Sequence, residues 1–460
     1  MFCYSELPSH YKSCLMYLSI FPQGRSFKRT DLLRRWAAEG LITKRSAGTG
    51  MLDDQAERIF DSLVTRGFIC PGETSTAGKV KSFTLNQVVH DFIVTDVGFV
   101  DTSSQPDLAH RLSINSGVLD LQGCKGLKKK HLNNICKILL LKYLSLRNTD
   151  ATELPKQIEK LQCLQTLDIR QTIIQAFATK SVCLPMLRHL LAGKEDSPSI
   201  DSDRFKKSFE TVYLPKSIRR MEKIEVLSHV KVSNNNDLID VGKLLHLRKL
   251  GVILEGKKDE LNLLFQQIEK LQGCLRSLSI QMNQPTKSKS ELQSPPKLLQ
   301  SLNISGITGG LHLWIAGHDI LTKITLSETD LGEDALGIFG KLRMLRCLRL
   351  RHKSYTESEL KFKEEEFKSL KSLVVEGSNI TSVTLEPQAA PKLEMIIWSF
   401  VTMGTLSGVK HLPKLKKIEL SGDSCEIDPV IEEIREHPNH PDLKYNGQHQ
   451  RYGAKTPSTP

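Results

Sequence analysis

The part of the sequence that is most similar to a phosphate-binding loop is a short glycine-rich stretch, Gly72 to Val80. A phosphate loop of the form GxxxxGK[ST] cradles the anion with backbone amides and adds a lysine and a hydroxyl for phosphate and magnesium. Here five residues separate Gly72 from Gly78, and Val80 follows Lys79 where a hydroxyl should stand. The stretch is also predicted to be a hairpin loop rather than a strand-to-helix turn. We interpret it as a chance match.

Other catalytic and metal-binding patterns are missing from the 460 residues. We find no GxSxG, HExxH or CxxC sequence, and the ten cysteines form no Cys/His cluster with zinc spacing. The acidic run 364–366 is interpreted as a solvated face. The prediction is therefore a protein that is not an enzyme, holds no metal and acts by binding.

The dominant signal is a repeat of the form Leu-x-x-Leu-x-Leu, as in residues 141–146 and 164–169. Its central apolar positions fall mostly 22 to 25 residues apart. The thirteen centres lie at residues 119, 144, 167, 190, 230, 250, 278, 302, 324, 348, 373, 396 and 418. The step from 190 to 230 is longer, which predicts a degenerate repeat around Tyr213 and Leu214.

Period-two alternation predicts a short strand in each unit, with one face that only a neighbouring repeat can bury. Stacked parallel strands with irregular or helical returns form an α/β solenoid, the leucine-rich-repeat horseshoe. The residues that flank the buried leucines then point to the concave face, where a protein partner would bind. The partner-binding candidates are Tyr143, Arg147, Arg170, Arg349 and Arg351.

Residues 1–98 have a different pattern. Apolar spacing predicts helices over 7–18, 28–39 and 53–66, with Gly40 and Gly67 as stops for the second and third. A hairpin of 68–70 with 81–85 and a closing helix over 86–97 follow. Three helices, a wing and a last helix describe a small winged-helix domain.

Three ordered motifs make a family resemblance specific. They are Cys14-Leu-Met-Tyr-Leu-Ser-Ile-Phe-Pro22, Leu33-Arg-Arg-Trp36-Ala-Ala-Glu39-Gly40-Leu-Ile42 and Val89-His90-Asp91. Together with the repeats that follow, they resemble plant nucleotide-binding leucine-rich-repeat (NB-ARC) disease-resistance proteins of the coiled-coil class. The third resembles the family's Met-His-Asp motif, with Val89 in place of Met. The resemblance extends to about residue 420 and implies an N-terminally truncated receptor, because the family's phosphate loop is not found.

The resemblance implies an immune switch, held inhibited by ADP and activated by exchange for ATP. It gives Val89, His90 and Asp91 the role of nucleotide contacts, with His90 at the ADP phosphates; the alternative is that His90 closes a local hydrogen bond. Without a phosphate loop, no cofactor is expected to bind this chain. In the family, early repeats fold back on the winged helix, so Arg147 and Arg170 could instead serve autoinhibition.

The predicted organisation is a winged helix at 1–98, leucine-rich repeats at 99–424, and a C-terminal helix with a disordered tail at 425–460. Residues 111–114 resemble a first repeat strand, yet only seven residues separate their centre from residue 119, which predicts an internal deletion near 115–118. No secretory signal and no long apolar run is present, which predicts a cytoplasmic protein without an integral membrane segment.

The predicted function is that of a plant innate-immune receptor fragment for pathogen recognition and defence signalling. Its expected partners are proteins: a pathogen effector, a guarded host protein or other immune receptors. One alternative is the C-terminal half of an intact ADP/ATP-dependent switch. Another is a winged helix that reads DNA through Arg34 and Arg35, but the 64 cationic and 52 acidic residues are scattered, so no nucleic-acid partner is expected.

Overall fold

The structure is a computed structural model of the chain. It describes residues 4, 6–21, 24–42, 52–75, 78–96, 112–113, 117–177, 182–193, 211–257, 259–287, 296–309, 311–316, 318–377, 379–400, 405–422, 427–435 and 437–449. The chain forms two compact units. Unit 1 comprises residues 1–195 and 210–224, and unit 2 comprises residues 196–209 and 225–460.

Unit 1 begins with the winged helix. Its elements are α1 (Ser9–Met16), a 3₁₀ turn (Tyr17–Ile20), β1 (Phe27–Lys28), α2 (Arg29–Ala38), α3 (Leu52–Thr65), β2 (Ile69–Pro71), β3 (Ser82–Leu85) and α4 (Gln87–Asp96). The strands pair antiparallel in the order β1-β3-β2. Trp36, Phe60 and Phe83 are fully buried and fill the core between the helices and this sheet.

Two glycines end the central helices, as the sequence predicts. Gly40 and Gly67 have φ values of 75° and 76°, a left-handed conformation that other residues rarely adopt. After α3, the Gly67 N–H donates to the carbonyl of Val64 and the Phe68 N–H to that of Leu63, both at 3.0 Å. This is the Schellman arrangement, which satisfies the last carbonyls of a helix.

The repeats of unit 1 contribute β4 (Leu112–Ser113), β5 (Val118–Asp120), α5 (Lys129–Ile135), β6 (Tyr143–Ser145), β7 (Thr166–Asp168) and β8 (His189–Leu191), with 3₁₀ turns at Lys156–Lys160 and Ile218–Arg220. Strands β5 to β8 are parallel, and their register aligns Leu119, Leu144, Leu167 and Leu190. These leucines are at most 4% exposed, as predicted for the repeat centres.

Residues 112–113 do not form the first parallel repeat strand that the sequence suggests. Strand β4 pairs antiparallel with β5, aligning Leu112 with Leu119 and Ser113 with Val118. A parallel pair needs a crossover of a dozen or more residues, whereas a short connection permits only a hairpin. Residues 114–116 lie outside the described part of the chain, and the internal deletion near 115–118 stays a prediction.

The expected degenerate repeat around Tyr213 has no full strand. The Tyr213 N–H donates to the carbonyl of Gln175 at 3.0 Å, and the side chains of Val212 and Leu214 are buried. Among the residues that the structure describes here, this backbone hydrogen bond and two apolar side chains take the place of a repeat strand.

Unit 2 holds the remaining repeats. Its parallel strands are β9 (Val226–Lys231), β10 (Lys249–Leu254), β11 (Ser277–Lys287), β12 (Ser301–Thr308), β13 (Lys323–Ser327), β14 (Cys347–Arg351), β16 (Ser372–Glu376), β18 (Met395–Ser399), β20 (Lys417–Ser421) and β21 (Asp442–Tyr445). Helices α6 (Asn235–Val241), α7 (Glu260–Glu269), α8 (Leu311–Ala316), α9 (Glu333–Gly340) and α10 (Ile427–Arg435), and a 3₁₀ turn at Val409–His411, lie in the returns. A repeat solenoid that follows a winged helix along the chain confirms the predicted fold class.

Three returns of unit 2 form a second parallel sheet that the sequence did not predict. It has the order β15 (Glu359–Phe362), β17 (Ser382–Leu385) and β19 (Thr405–Ser407). Leu360, Val383 and Leu406 form its buried column. In the described part of these returns, a strand takes the place of an α-helix, and in the last one the 3₁₀ turn at Val409–His411 follows it.

One predicted repeat centre is wrong. The register places Leu227, not Val230, beside Leu250, because a bulge interrupts β9 between these positions. His229 within the bulge has φ 51°, and a Cβ on Gly251 would lie 2.7 Å from the His229 nitrogen. Because glycine has no side chain, Gly251 leaves room for the bulge. The repeat centre therefore lies at Leu227, three residues before the predicted Val230.

The predicted disordered tail is wrong for residues 442–449. Strand β21 continues the parallel sheet beside β20, and β22 (Gln448–His449) pairs antiparallel with it. Leu443 is completely buried and aligns with Ile418. A single leucine therefore supports one more repeat strand despite the polar sequence around it. Residues 450–460 lie outside the described part of the chain.

We expect Leu302→Ala to lower the free energy of unfolding of unit 2 by about 2–5 kcal/mol, because the fully buried side chain leaves a cavity between neighbouring repeats. Leu245→Ala is the matched control, since Leu245 is 65% exposed and should change stability by less than about 0.5 kcal/mol. Urea denaturation followed by circular dichroism measures both. Equal effects of the two substitutions would contradict the assigned register.

Candidate functional site: a charged interface between the winged helix and the first repeats

Within unit 1, helix α2 lies against the repeat strands. Ala38 at its C-terminal end packs with Val118 of β5 and Tyr143 of β6 in a small buried apolar cluster. The same helix carries Asp31 in its first turn and Arg35 one turn later, so both project toward the repeats. The concave-face side chains of β6 to β8 are buried as a result.

Asp31 is the centre of this interface. Its Oδ1 lies 3.2 Å from Nη2 of Arg170, and its Oδ2 lies 3.6 Å from Nη1 of Arg147. Arg34, on the same helix, places Nη1 3.4 Å from Oδ1. One carboxylate thus meets three guanidinium groups, two of which belong to the repeats.

Side chains of the repeats orient the two arginines toward Asp31. Asp168 accepts two hydrogen bonds from Arg170, of which the one from Nε is 2.9 Å long. Gln171 accepts a 3.2 Å hydrogen bond from Nε of Arg147. These hydrogen bonds within the repeats hold the two arginine side chains in one rotamer, so less conformational entropy is lost when the interface forms. The repeats therefore present a preorganised cationic site to the winged helix.

Electrostatics favours the ionised form of Asp31. Burial alone would raise its pKa, but the nearby charges of Arg170, Arg34 and Arg147 outweigh that effect and hold the pKa of Asp31 below its usual value. Beneath this cluster, burial lowers the pKa of His189 well below its usual value, so the imidazole is neutral near pH 7. The Thr166 hydroxyl and His189 Nδ1 lie 2.8 Å apart in a hydrogen bond.

Arg35 forms the second ion pair of the interface. Its guanidinium contacts the carboxylate of Asp120 at the end of β5. It also lies over two aromatic rings, 5.3 Å from the centroid of Phe21 and 5.6 Å from that of Tyr143. Cation–π contact compensates part of the cost of burying a charge. Arg35 therefore joins the core of the winged helix to the first repeats.

Of the predicted partner-binding residues, the structure brings Tyr143, Arg147 and Arg170 together, under the winged helix. They are 2%, 5% and about one-tenth exposed, so in this conformation they do not form an open surface for another protein. The suggested contact of Arg147 and Arg170 with the winged-helix region is present. Sequence reasoning missed Asp31 and Asp120, because their partners lie far away along the chain.

Arg349 and Arg351 lie elsewhere, in unit 2. Both contact Glu376 on the neighbouring strand β16, Arg349 through Nη2 at 3.2 Å and Arg351 through Nε at 2.6 Å. The predicted basic patch is therefore neutralised in part by a carboxylate that the repeat register places opposite it. These arginines form a cross-strand cluster of their own.

The motif Val89-His90-Asp91 lies on α4. His90 is mostly buried, and its Nδ1 is 3.7 Å from Oδ1 of the exposed Asp91. Val89 packs against the winged-helix core. The glycine-rich stretch 72–80 joins two antiparallel strands, as predicted, and Lys79 pairs with Glu57 at 2.6 Å. Among the described residues, His90 thus lies on the closing helix of the winged helix, and the glycine-rich stretch belongs to a hairpin rather than to a strand-to-helix turn.

Comparison with known proteins agrees with this architecture. The family model described as "Leucine-rich repeat region" matches residues 115–443, and the one described as "Disease resistance protein Winged helix domain" matches residues 20–93. The chain belongs to the leucine-rich-repeat proteins of plant disease resistance. The family match extends the repeats to residue 443, in agreement with β21.

Two curated relatives come from Oryza sativa subsp. japonica. Disease resistance protein Pik-2 is 28% identical over 515 residues, which cover 91% of this chain and 50% of that protein. Disease resistance protein RGA4 is 26% identical over 505 residues, which cover 95% and 49%. The chain thus spans about half the length of these relatives. Among solved structures, the LRR ectodomain of the Arabidopsis receptor kinase HAESA is 15% identical with a TM-score of 0.43, over 72% of this chain and 57% of that chain.

We expect Asp31→Asn to lower the free energy of unfolding of unit 1 by about 3–5 kcal/mol, since it removes the carboxylate that Arg34, Arg147 and Arg170 share. Because the pKa of Asp31 is lowered in the folded state, its contribution is present above the unfolded pKa of about 4 and is lost as pH falls below it. The difference in melting temperature between parent and variant should therefore be largest near pH 7 and shrink below about pH 4.

Asp54→Asn, on the exposed surface of α3, is the matched control and should leave the melting temperature unchanged. A pH-independent difference for Asp31→Asn would show that the aspartate acts by packing rather than by its charge.

Proposed function

We propose that this chain acts in plant innate immunity as a protein-binding receptor module whose winged helix covers the first repeats in the resting form. The observation that carries the proposal is the burial of Arg147 and Arg170 against Asp31. These arginines occupy concave positions, which solenoids commonly use for partner binding. A partner that competes for them would have to displace α2, so recognition and release of the winged helix would be coupled.

The concave columns of unit 2 are the proposed surface for the recognised protein. Ser277, Ser279 and Gln281 on β11, and Asn303 on β12, are only partly buried. Asn303 donates to the Ser279 hydroxyl at 3.2 Å, which leaves further polar groups for an incoming chain. A pathogen effector, a guarded host protein or another immune receptor are the partner classes that we propose.

We also propose that the chain works by binding and not by catalysis, in the cytoplasm. No cluster of three or more His, Cys, Asp or Glu side chains in the described part of the chain could hold a metal ion. Within the same residues, no helix is long and apolar enough to cross a membrane. The supporting observation for binding is the repeat architecture itself, whose strands present side chains in columns.

DNA reading by Arg34 and Arg35 is not favoured. Arg34 pairs with Asp31 and Arg35 with Asp120, so both side chains of α2 are turned to the repeats. A recognition helix must expose its cations to the groove.

The immune role is tested in plants that lack the gene. We expect them to be more susceptible to at least one pathogen isolate, and the parent sequence and Asp54→Asn to restore resistance. Asp31→Asn should fail to restore normal regulation, giving either lost resistance or defence without a pathogen. Lesion scoring and defence-transcript levels measure both effects. Unchanged resistance of the null plants across a panel of isolates would overturn the proposal.

We expect the purified chain to show no binding of ADP at micromolar or tighter affinity in titration calorimetry. The reason is that the sequence contains no GxxxxGK[ST] loop that could bind the ADP phosphates together with His90. His90→Ala should then make no difference. Micromolar binding that is lost in His90→Ala would instead support the alternative of an ADP/ATP-dependent switch. Mapping the 5′ end of the transcript would show directly whether a phosphate loop is encoded upstream.

A further inference from the structure

The N-terminal edge of the parallel sheet in unit 2 carries a concentration of positive charge. In strands β10 to β14, β16, β18 and β20, the register aligns the first residues, from Lys249 to Lys417. We define the basic edge as the five residues that end at this position in each repeat: 245–249, 273–277, 297–301, 319–323, 343–347, 368–372, 391–395 and 413–417. These segments hold thirteen Lys and Arg residues against two carboxylates, Asp319 and Glu394.

Backbone hydrogen bonds hold this edge in one ladder. The residue before each strand donates its N–H to the carbonyl of the equivalent residue in the preceding repeat. Arg276 donates to Arg248 at 2.8 Å, Arg346 to Thr322 at 2.9 Å, and Lys416 to Glu394 at 2.9 Å. Because hydrogen-bonded strands lie about 4.8 Å apart, equivalent side chains form closely spaced rows. The ladder fixes the positions of Arg276, Arg346 and Lys416, while Lys297, Arg343, Lys392 and Lys414 lie in the turns that lead into the strands.

Six of the thirteen cations make no ion pair within 4.0 Å to any residue that the structure describes: Arg276, Lys297, Arg343, Arg346, Lys392 and Lys414. All six are exposed. By contrast, Lys371 and Lys416 share Glu394 at 2.9 and 2.7 Å. These cations carry charge of one sign along the same edge, and an external anionic surface would relieve the repulsion among them.

Exposed aliphatic side chains stand among these cations. Leu298 follows Lys297 and is 37% exposed, Met344 follows Arg343 and is 41% exposed, and Leu245 is 65% exposed. The segments contain no Phe, Tyr or Trp on which a nucleic-acid base could stack. Cations that contact headgroups, beside aliphatic tips that enter the acyl boundary, are the combination that interfacial membrane binding uses.

We propose that the basic edge of unit 2 is a docking surface for an anionic lipid bilayer, which would hold the chain at a membrane as a peripheral protein. Headgroup phosphates and carboxylates would contact Arg276, Arg343 and Arg346, while Leu298 and Met344 enter the boundary of the acyl chains. The buried leucine row behind the edge keeps these side chains in place. The proposal does not depend on the immune role or on the interface around Asp31.

Co-sedimentation of the full chain with vesicles tests the proposal. We expect the chain to bind vesicles of phosphatidylcholine and phosphatidylserine in equal parts, to release them at high salt, and not to bind phosphatidylcholine alone. The variant Arg276→Gln, Lys297→Gln, Arg343→Gln and Arg346→Gln should bind the mixed vesicles at least about tenfold more weakly. The matched control changes Lys257, Lys287, Lys353 and Lys363 to Gln, away from the basic edge, and should bind within about twofold of the parent.

A second variant separates insertion from charge. Leu298→Ser with Met344→Ser keeps every cation, and should weaken vesicle binding several-fold without changing retention on a heparin column. Melting temperatures equal to that of the parent show that the variants are folded. Absence of parent binding to the mixed vesicles, or equal losses in edge and control variants, would overturn the proposal. So would vesicle binding that is unaffected by both variants while retention of single-stranded RNA falls in the cation variant.

Discussion

Burial of one leucine column between neighbouring strands is the constraint on which the repeats depend. Leu250, Leu278, Leu302 and Leu348 can leave water only if the next strand pairs in the same register. A slip of one residue would turn every side chain to the opposite face. Since each fully buried leucine contributes roughly 1.5–3 kcal/mol, the register is fixed strongly. The other columns, whether concave or at the strand ends, then follow with few requirements on their own residue types, Gly251 beside the bulge being an exception.

This freedom explains how charge can be arranged so specifically on the repeats. The concave column of unit 1 holds Asp168 and Arg170, while the equivalent column of unit 2 holds Arg349 and Arg351 opposite Glu376. Burying such charges costs several kcal/mol per ion, and an apolar contact could be as stable. A charged contact is instead sensitive to the exact partner, since a missing carboxylate leaves buried cations unsatisfied. The interface at Asp31 therefore favours specificity over maximal stability.

The leucine spacing and the glycine stops predict most of the fold from the sequence, because each depends on nearby residues. Gly40 and Gly67 end their helices where expected, and twelve of the thirteen repeat centres fall in a buried strand column as predicted. The centre at Val230 fails because the bulge at His229 depends on Gly251 in the next strand. The prediction of a disordered tail is wrong at Asp442–Tyr445, because the polar composition of this segment outweighed its single leucine.

The candidate site is less predictable from the sequence. Arginines at concave positions can be identified from the repeat, and Arg147 and Arg170 were identified in this way. Their partner Asp31 lies more than a hundred residues earlier, on a helix whose first-turn acidic residue would be expected at any helix N-terminus. Nothing local distinguishes a carboxylate that favours a helix end from one that also pairs with another domain. Only the packing of α2 on β6 shows the difference.

The extent of unit 1 bears on how such proteins recombine. Residues 1–195 and 210–224 form one compact unit, although two family models, over residues 20–93 and from residue 115 onward, match within it. A chimaera that joins the winged helix of one relative to the repeats of another would separate Asp31 from Arg147 and Arg170. The junction that preserves these contacts lies after Arg170, which follows the third parallel repeat strand. The winged helix and its first repeats should therefore be transferred together as one module.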